Sequence, residues 1–455
     1  MKTSLSVSIL ISLLFSLVVG QPQEGLPETP VGKHVEAYLK AFNSSDQGLM
    51  RSFFQERTAR RSLSEFPVEQ RLSRFAEMKQ RMGSLELKRV VSATSQSVTI
   101  LATAKNGATV QLNFECESQP PYGLLGIRVE NVGELAEERF SAGRKANDAE
   151  LVGATQSFLD SLTKADEFSG VVLVAKRGKE LFKKAYGFAD RDRNEANRTD
   201  TKFNLGSINK RFTKTAIHQL AARGKLGLND PIKKFLTDYP NKEAADKVTI
   251  QHLLTMRSGI GDFFGDRYVA TPKEKIRNIN DYLPLFADKP LEFEPGTRNR
   301  YSNGGYIVLG AIIEKVSGTD YYSFVRDNIF KPAGMANTDA YEKDKEVPNR
   351  AMGYTRDGEK ESWRTNYSML PARGSSAGGG YSTADDLLRF INALERGIIP
   401  APDTEEGLGI AGGAPGMNAA LEWEPRPGYV IVVLSNLDPP AAERVARQIR
   451  AWLPR

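Results

Sequence analysis

The 455 residues are 40% hydrophobic and 26% charged, the balance of folded soluble protein with room for about three units of ordinary domain size. Lys and Arg number 62 against 56 Asp and Glu, a net charge of +6, and the two signs interleave along the chain. That pattern describes a mixed solvated surface and excludes a basic nucleic-acid block: Arg444, Arg447 and Arg450 share one helix face, but no stacking aromatics or groove-reading motif accompany them.

Residues 1–20 join Lys2 to an uncharged apolar run, Leu5–Val19, and small residues ending at Gly20, which predicts a secretory signal cleaved near Gln21. The run is shorter than the roughly 20 residues of a membrane span, and no later segment is long enough, so the expected product is secreted or periplasmic without an integral span. Its one cysteine, Cys116, excludes an internal disulfide and alternates with Phe114 as a buried structural thiol would. After a Pro-containing spacer (21–31), residues 34–82 show helical periodicity in three stretches, around Val35–Phe42, Leu49–Phe54 and Leu72–Met78. Four alternating runs follow near 85–93, 97–104, 109–117 and 123–131, with Asn106-Gly107 placed for a tight hairpin. Helices followed by an antiparallel meander make residues 32–132 a small α+β domain whose order resembles the NTF2-like fold. The charged stretch 133–147 reads as a linker to a domain spanning 148–455.

That second domain opens with a helix near 149–163 and a hairpin, Gly170–Ala175 and Leu181–Ala185, turned at Arg177-Gly178. It closes with Met417–Trp423, Tyr429–Ser435 and a terminal helix. No internal repeat and no low-complexity segment is present, which argues against solenoids and propellers. Within it, Ser207-Ile208-Asn209-Lys210 has the S-x-x-K form, and Phe212, Ala216, Ile217 and Leu220 continue at helical spacing. Nearly one helical turn separates Ser207 from Lys210, so the amine faces the hydroxyl. A serine is a weak nucleophile until a neighbour takes its proton, and a lysine can do so once burial lowers its pKa. The pattern alone is cheap: Ser161-Leu162-Thr163-Lys164 repeats it on an ordinary amphipathic helix, and Tyr239-Pro240-Asn241 repeats the Y-x-N of Tyr301-Ser302-Asn303 in a loop.

Context separates them. Phe203–Thr213, Gly224–Pro231, Thr249–Thr255 with Ser258-Gly259-Ile260, Pro295-Gly296 leading to Tyr301-Ser302-Asn303-Gly304-Gly305-Tyr306, and Ala377–Thr383 together resemble the β-lactamase-related serine hydrolases and penicillin-binding proteins, in family order over roughly residues 147–455. The resemblance implies an α/β (α+β) fold: an antiparallel sheet flanked by helices, plus a helical lobe. It implies an acyl-enzyme on Ser207, with Lys210 and Tyr301 sharing the proton traffic in an order it leaves open. Asn303 would bind substrate or Lys210. The backbone N–H groups of Ser207 and Gly413 would form the oxyanion hole beside Gly412. No cofactor or metal is called for, and the expected partner of a monomer is a small ester, amide or peptide.

Two positions depart from the family pattern. Its third motif places Lys or His, any residue, then Gly on an inner strand, whereas this chain has Ile410-Ala411-Gly412-Gly413. Losing one charged hydrogen bond there costs about 1.5–3 kcal/mol. The link Gly397–Leu408 is also short. A degenerate protein that binds peptide or acyl ligands without turnover is therefore the alternative reading. Gly374-Ser375-Ser376-Ala377-Gly378 matches an α/β-hydrolase elbow, but Pro371 precedes it, glycines follow it and no histidine lies after His252. His34, His218 and His252 sit in helical patterns without a neighbouring ligand set.

Overall fold

Helical spacing of apolar residues becomes four helices among the described residues of the first unit in the computed structural model, α1 Pro30–Ser44, α2 Gln47–Arg57, α3 Arg60–Glu65 and α4 Val68–Met82. Three were expected. The difference arises because Thr58 and Ala59 leave the helical path to pair with Leu124, the Ala59 amide donating to the Leu124 carbonyl at 3.0 Å, so a short new helix starts after them. The meander is β1 Leu85–Ala93, β2 Ser97–Ala104, β3 Thr109–Cys116 and β4 Leu124–Val132, antiparallel in that order. Its inner face meets α1, with the Tyr38 and Phe114 rings 5.4 Å apart at 72°. Cys116 is buried there and burial pushes its thiol pKa up, which keeps it unreactive.

The structure describes residues 25–44, 46–105, 107, 109–132, 147–356, 361–400 and 407–454. The expected signal segment, Asn106 of the expected hairpin, residues 133–146 of the expected linker and 401–406 of the short link lie outside them. The chain divides into two compact units, Met1–Arg144 and Lys145–Arg455. No described helix is long and apolar enough to cross a membrane.

In the second unit the chain runs α5 Asp148–Lys164, β5 Gly170–Lys176, β6 Lys179–Tyr186, α6 Asn209–Ala222, α7 Asn303–Ser317, α8 Ala384–Glu395, β7 Leu408–Ala414, β8 Met417–Glu424, β9 Tyr429–Ser435 and α9 Ala441–Trp452, with short helices and loops between. Asn147 and Glu150 start α5 with a capping box. Arg177 and Gly178, both at positive φ (50° and 73°), make the two-residue β5–β6 turn. The antiparallel sheet has the order β7-β8-β9-β5-β6. Alternate side chains of β5 enter opposite cores: Val172 and Val174 join Leu159, Ile431 and Ile449 under α5 and α9. Val171 and Leu173 join Phe212, Phe390 and Val432 on the face that carries α6 and α8. Both faces are thus dry. The third-motif segment lies on β7, at the edge of the sheet and not on an inner strand; this places its free side against the turn that carries Ser207.

Candidate active site

Two glycines bring Ser207 and the edge strand together. Ser207 lies in a single 3-10 turn, Gly206–Ile208, immediately before α6. Gly206 has φ +48°, and a side chain on it would meet Gly412 C and Gly413 N at 2.9 Å. A side chain on Gly412 would stand 2.1 Å from Leu205 O and 2.5 Å from Ser207 N. Gly412 therefore serves close backbone approach, whereas Gly413 lines the cleft. Below the turn, the Leu205 amide donates to Gly380 O at 2.8 Å and the Gly379 amide to Gly206 O at 3.3 Å, so the glycine run supports the segment from its other side.

Lys210 follows one turn later and is only 7% exposed. Its Nζ reaches Ser207 Oγ at 3.1 Å, Asn303 Oδ1 at 2.7 Å and the Ala377 carbonyl at 2.5 Å. It also lies 4.7 Å from the centre of the Tyr301 ring. Burial lowers its pKa to about 7, partly opposed by the charge of Asp262. Tyr301 precedes α7, and its hydroxyl is 2.5 Å from Ser207 Oγ. The ring is 52% exposed while the hydroxyl points inward, and desolvation of that hydroxyl raises its pKa. The Ser302 hydroxyl caps α7 by accepting from the Gly305 amide at 2.8 Å, and donates to Gly261 O at 3.0 Å. That cap orients the residues on either side of it, Tyr301 and Asn303.

Ser207, Lys210, Tyr301 and Asn303 thus meet in one place, with Gly413 beside them, at the wall of a cleft of about 930 Å³. Sequence reasoning missed Asp262. Its carboxylate accepts from Asn303 Nδ2 at 2.7 Å, which fixes the amide so that Oδ1 faces Lys210. The available signal was its place two residues after Ser258-Gly259-Ile260. Ile410 pairs with Leu421 on β8 and packs half-buried against the main core, not among the residues that line the cleft. The rival motifs separate from the site: Ser376 is fully buried with its hydroxyl on Tyr306 O at 2.8 Å, Ser161 bonds back to Phe158 O within α5, and Tyr239 is core. His252 closes a capping box with Thr249, and His34 meets the Tyr122 carbonyl at 2.9 Å.

Residues 156–410 match the family model described as Beta-lactamase. The chain is similar to Penicillin-binding protein 4* of Bacillus subtilis, 32% identical over 52% of this chain and 55% of that protein, so it spans about half of that relative's length. It is 29% identical to Esterase EstB of Burkholderia gladioli, over 65% of this chain and 82% of the esterase. The crystal structure of a penicillin binding protein from Bacillus halodurans superposes with a TM-score of 0.59 at 31% identity, covering 64% of this chain and 98% of that one.

Proposed function

Because the chain belongs to the beta-lactamase family, we propose that it is a serine hydrolase that cleaves a neutral ester or amide through an acyl-enzyme on Ser207. The observation that carries this is the contact of one hydroxyl with both a buried amine and a phenol. A neutral lysine donates two hydrogen bonds and keeps one lone pair. With its two protons on Asn303 Oδ1 and Ala377 O, the lone pair of Lys210 faces Ser207 Oγ. Its lowered pKa supports it as the base, and the raised pKa of Tyr301 supports the phenol as a proton carrier.

Ser207 Oγ attacks the carbonyl carbon while its proton passes to Lys210. The resulting oxyanion is held by the N–H groups of Ser207 and Gly413, whose loss one at a time is worth about 10²–10³ in rate. The proton then moves through Tyr301 to the departing oxygen or nitrogen, and water attacks the ester left on Ser207 to release the acid. The neutral preference follows from the missing Lys or His at Ile410, and of the two lysines elsewhere in the cleft wall Lys343 Nζ is paired with Glu274 at 3.0 Å, while Lys273 Nζ is turned onto the Thr271 carbonyl at 2.8 Å.

Export by the segment 1–20, a monomeric state and an NTF2-like identity for the first unit belong to the same proposal, the last supported by its helices-then-meander order. Ile410 favours one second reading, a protein that binds acyl or peptide ligands without turnover. Labelling with a fluorescent penicillin and a fluorophosphonate decides: label on the wild type and none on Ser207→Ala is expected, and an unlabelled wild type under forcing conditions would establish the binder.

A further inference from the structure

Soluble proteins expose large apolar side chains singly, and a cluster of them around a concavity marks a ligand surface. Among the described residues eight large hydrophobic side chains are exposed, and four of these, Phe264, Val269, Tyr301 and Met369, line the one cleft that holds Ser207. Their exposure is high: 57% for Phe264, 77% for Val269 and 41% for Met369. Around them the wall continues with buried Phe263, Tyr268 and Met417, and with Leu370 and Pro371.

This surface is held in place. The Phe263 and Phe264 ring centres are 4.3 Å apart, Phe264 lies 5.0 Å from Tyr268, and Phe263 lies 5.0 Å from the buried Tyr282. Farther along the wall, Lys343 Nζ anchors the Leu370 carbonyl next to Met369, and the Ala372 amide donates to Lys273 O at 2.8 Å, tying that segment to the one after Tyr268. Side chains this apolar, fixed yet exposed beside a nucleophile, have unburied area that only an apolar ligand group would remove from water.

We propose that the strip formed by Phe263, Phe264, Val269, Met369 and Leu370 is an acyl-binding subsite, and that the substrate is a neutral ester or amide whose acyl part is a bulky apolar chain or ring. This assignment rests on the reading of Ser207 as an acyl-forming nucleophile, and it makes Phe264 and Met369 specificity-determining residues. The cleft volume of about 930 Å³ accommodates an eight-carbon acyl group together with its leaving group.

The test uses the full chain and p-nitrophenyl esters from acetate through butyrate to octanoate, so that the leaving group stays constant. In the wild type kcat/KM is expected to rise at least about tenfold from acetate to octanoate. Phe264→Ser and Met369→Ser, both at exposed positions and checked for an unchanged melting temperature, are expected to flatten that rise by lowering octanoate turnover more than acetate turnover. A flat or falling profile in the wild type, with acetate still cleaved in a Ser207-dependent way, overturns the subsite and leaves the hydrolase standing. If no ester is cleaved and Ser207 takes no label, the hydrolase reading fails and calorimetry with octanamide on Ser207→Ala decides the subsite: binding that Phe264→Ser weakens supports it, and no binding ends it.

Discussion

Within the site the polar side chains are held by shared partners, Lys210 by Ser207, Asn303 and the Ala377 carbonyl, and Asn303 by Lys210 and Asp262. Burial away from water lowers the Lys210 pKa, and the negative charge of Asp262 restores part of the lost preference for the charged form. A base works only when deprotonated, so kcat/KM is expected to fall as pH drops through about 7, the pKa of Lys210. Asp262→Asn removes a negative charge that raises the pKa of both Lys210 and Tyr301. The acid limb of the pH profile is then expected to move to lower pH, while kcat falls about tenfold to a hundredfold because the Asn303 amide loses its charged anchor. A limb that stays in place or moves upward would show that the charge of Asp262 does not set the pKa of the base, and pH–rate profiles of the two proteins measure the difference.

At the level of elements, a helix cap sits between Tyr301 and Asn303. Ser302 is buried and satisfies both the first turn of α7 and the Gly261 carbonyl. Ser302→Ala is expected to cost about 1–2 kcal/mol of stability in urea unfolding. It should also slow Ser207 labelling, because Tyr301 and Asn303 flank the lost cap; normal labelling would mean that α7 holds them by packing. Legibility differs sharply from element to element. Gly-Val-Val-Leu-Val-Ala-Lys of β5 reads as a strand because both faces of the sheet are dry. Leu-Gly-Ile-Ala-Gly-Gly-Ala of β7 carries no such signal, since its small residues answer to the approach of another backbone and not to strand preference. The S-x-x-K and Y-x-N residues were legible from motif order, while Asp262 and the Phe263-Phe264 wall were not: loops have no period, and their partners lie far along the chain.

At the scale of the whole molecule, the two units close separate cores. One is centred on Tyr38, Phe42 and Phe114, and the others lie on the two faces of the five-stranded sheet. Phe114→Ala removes a fully buried ring and is expected to cost the first unit about 3–5 kcal/mol. Calorimetry should show one transition lowered and a second in place, with Ser207 labelling retained; a single transition that shifts as a whole would refute energetic independence.

Gly412, pressed against the Ser207 amide with no room for a methyl group, has a consequence for how this chain can vary in length. Neighbouring residues on a strand face opposite ways, so a one-residue slip of β7 that carries Ala411 into the place of Gly412 would turn a methyl group toward Ser207. Insertions and deletions ahead of Leu408 are harmless only if the slack is taken up there. An insertion just before Gly412 would instead press a side chain onto the turn that holds Ser207 while leaving every motif residue unaltered.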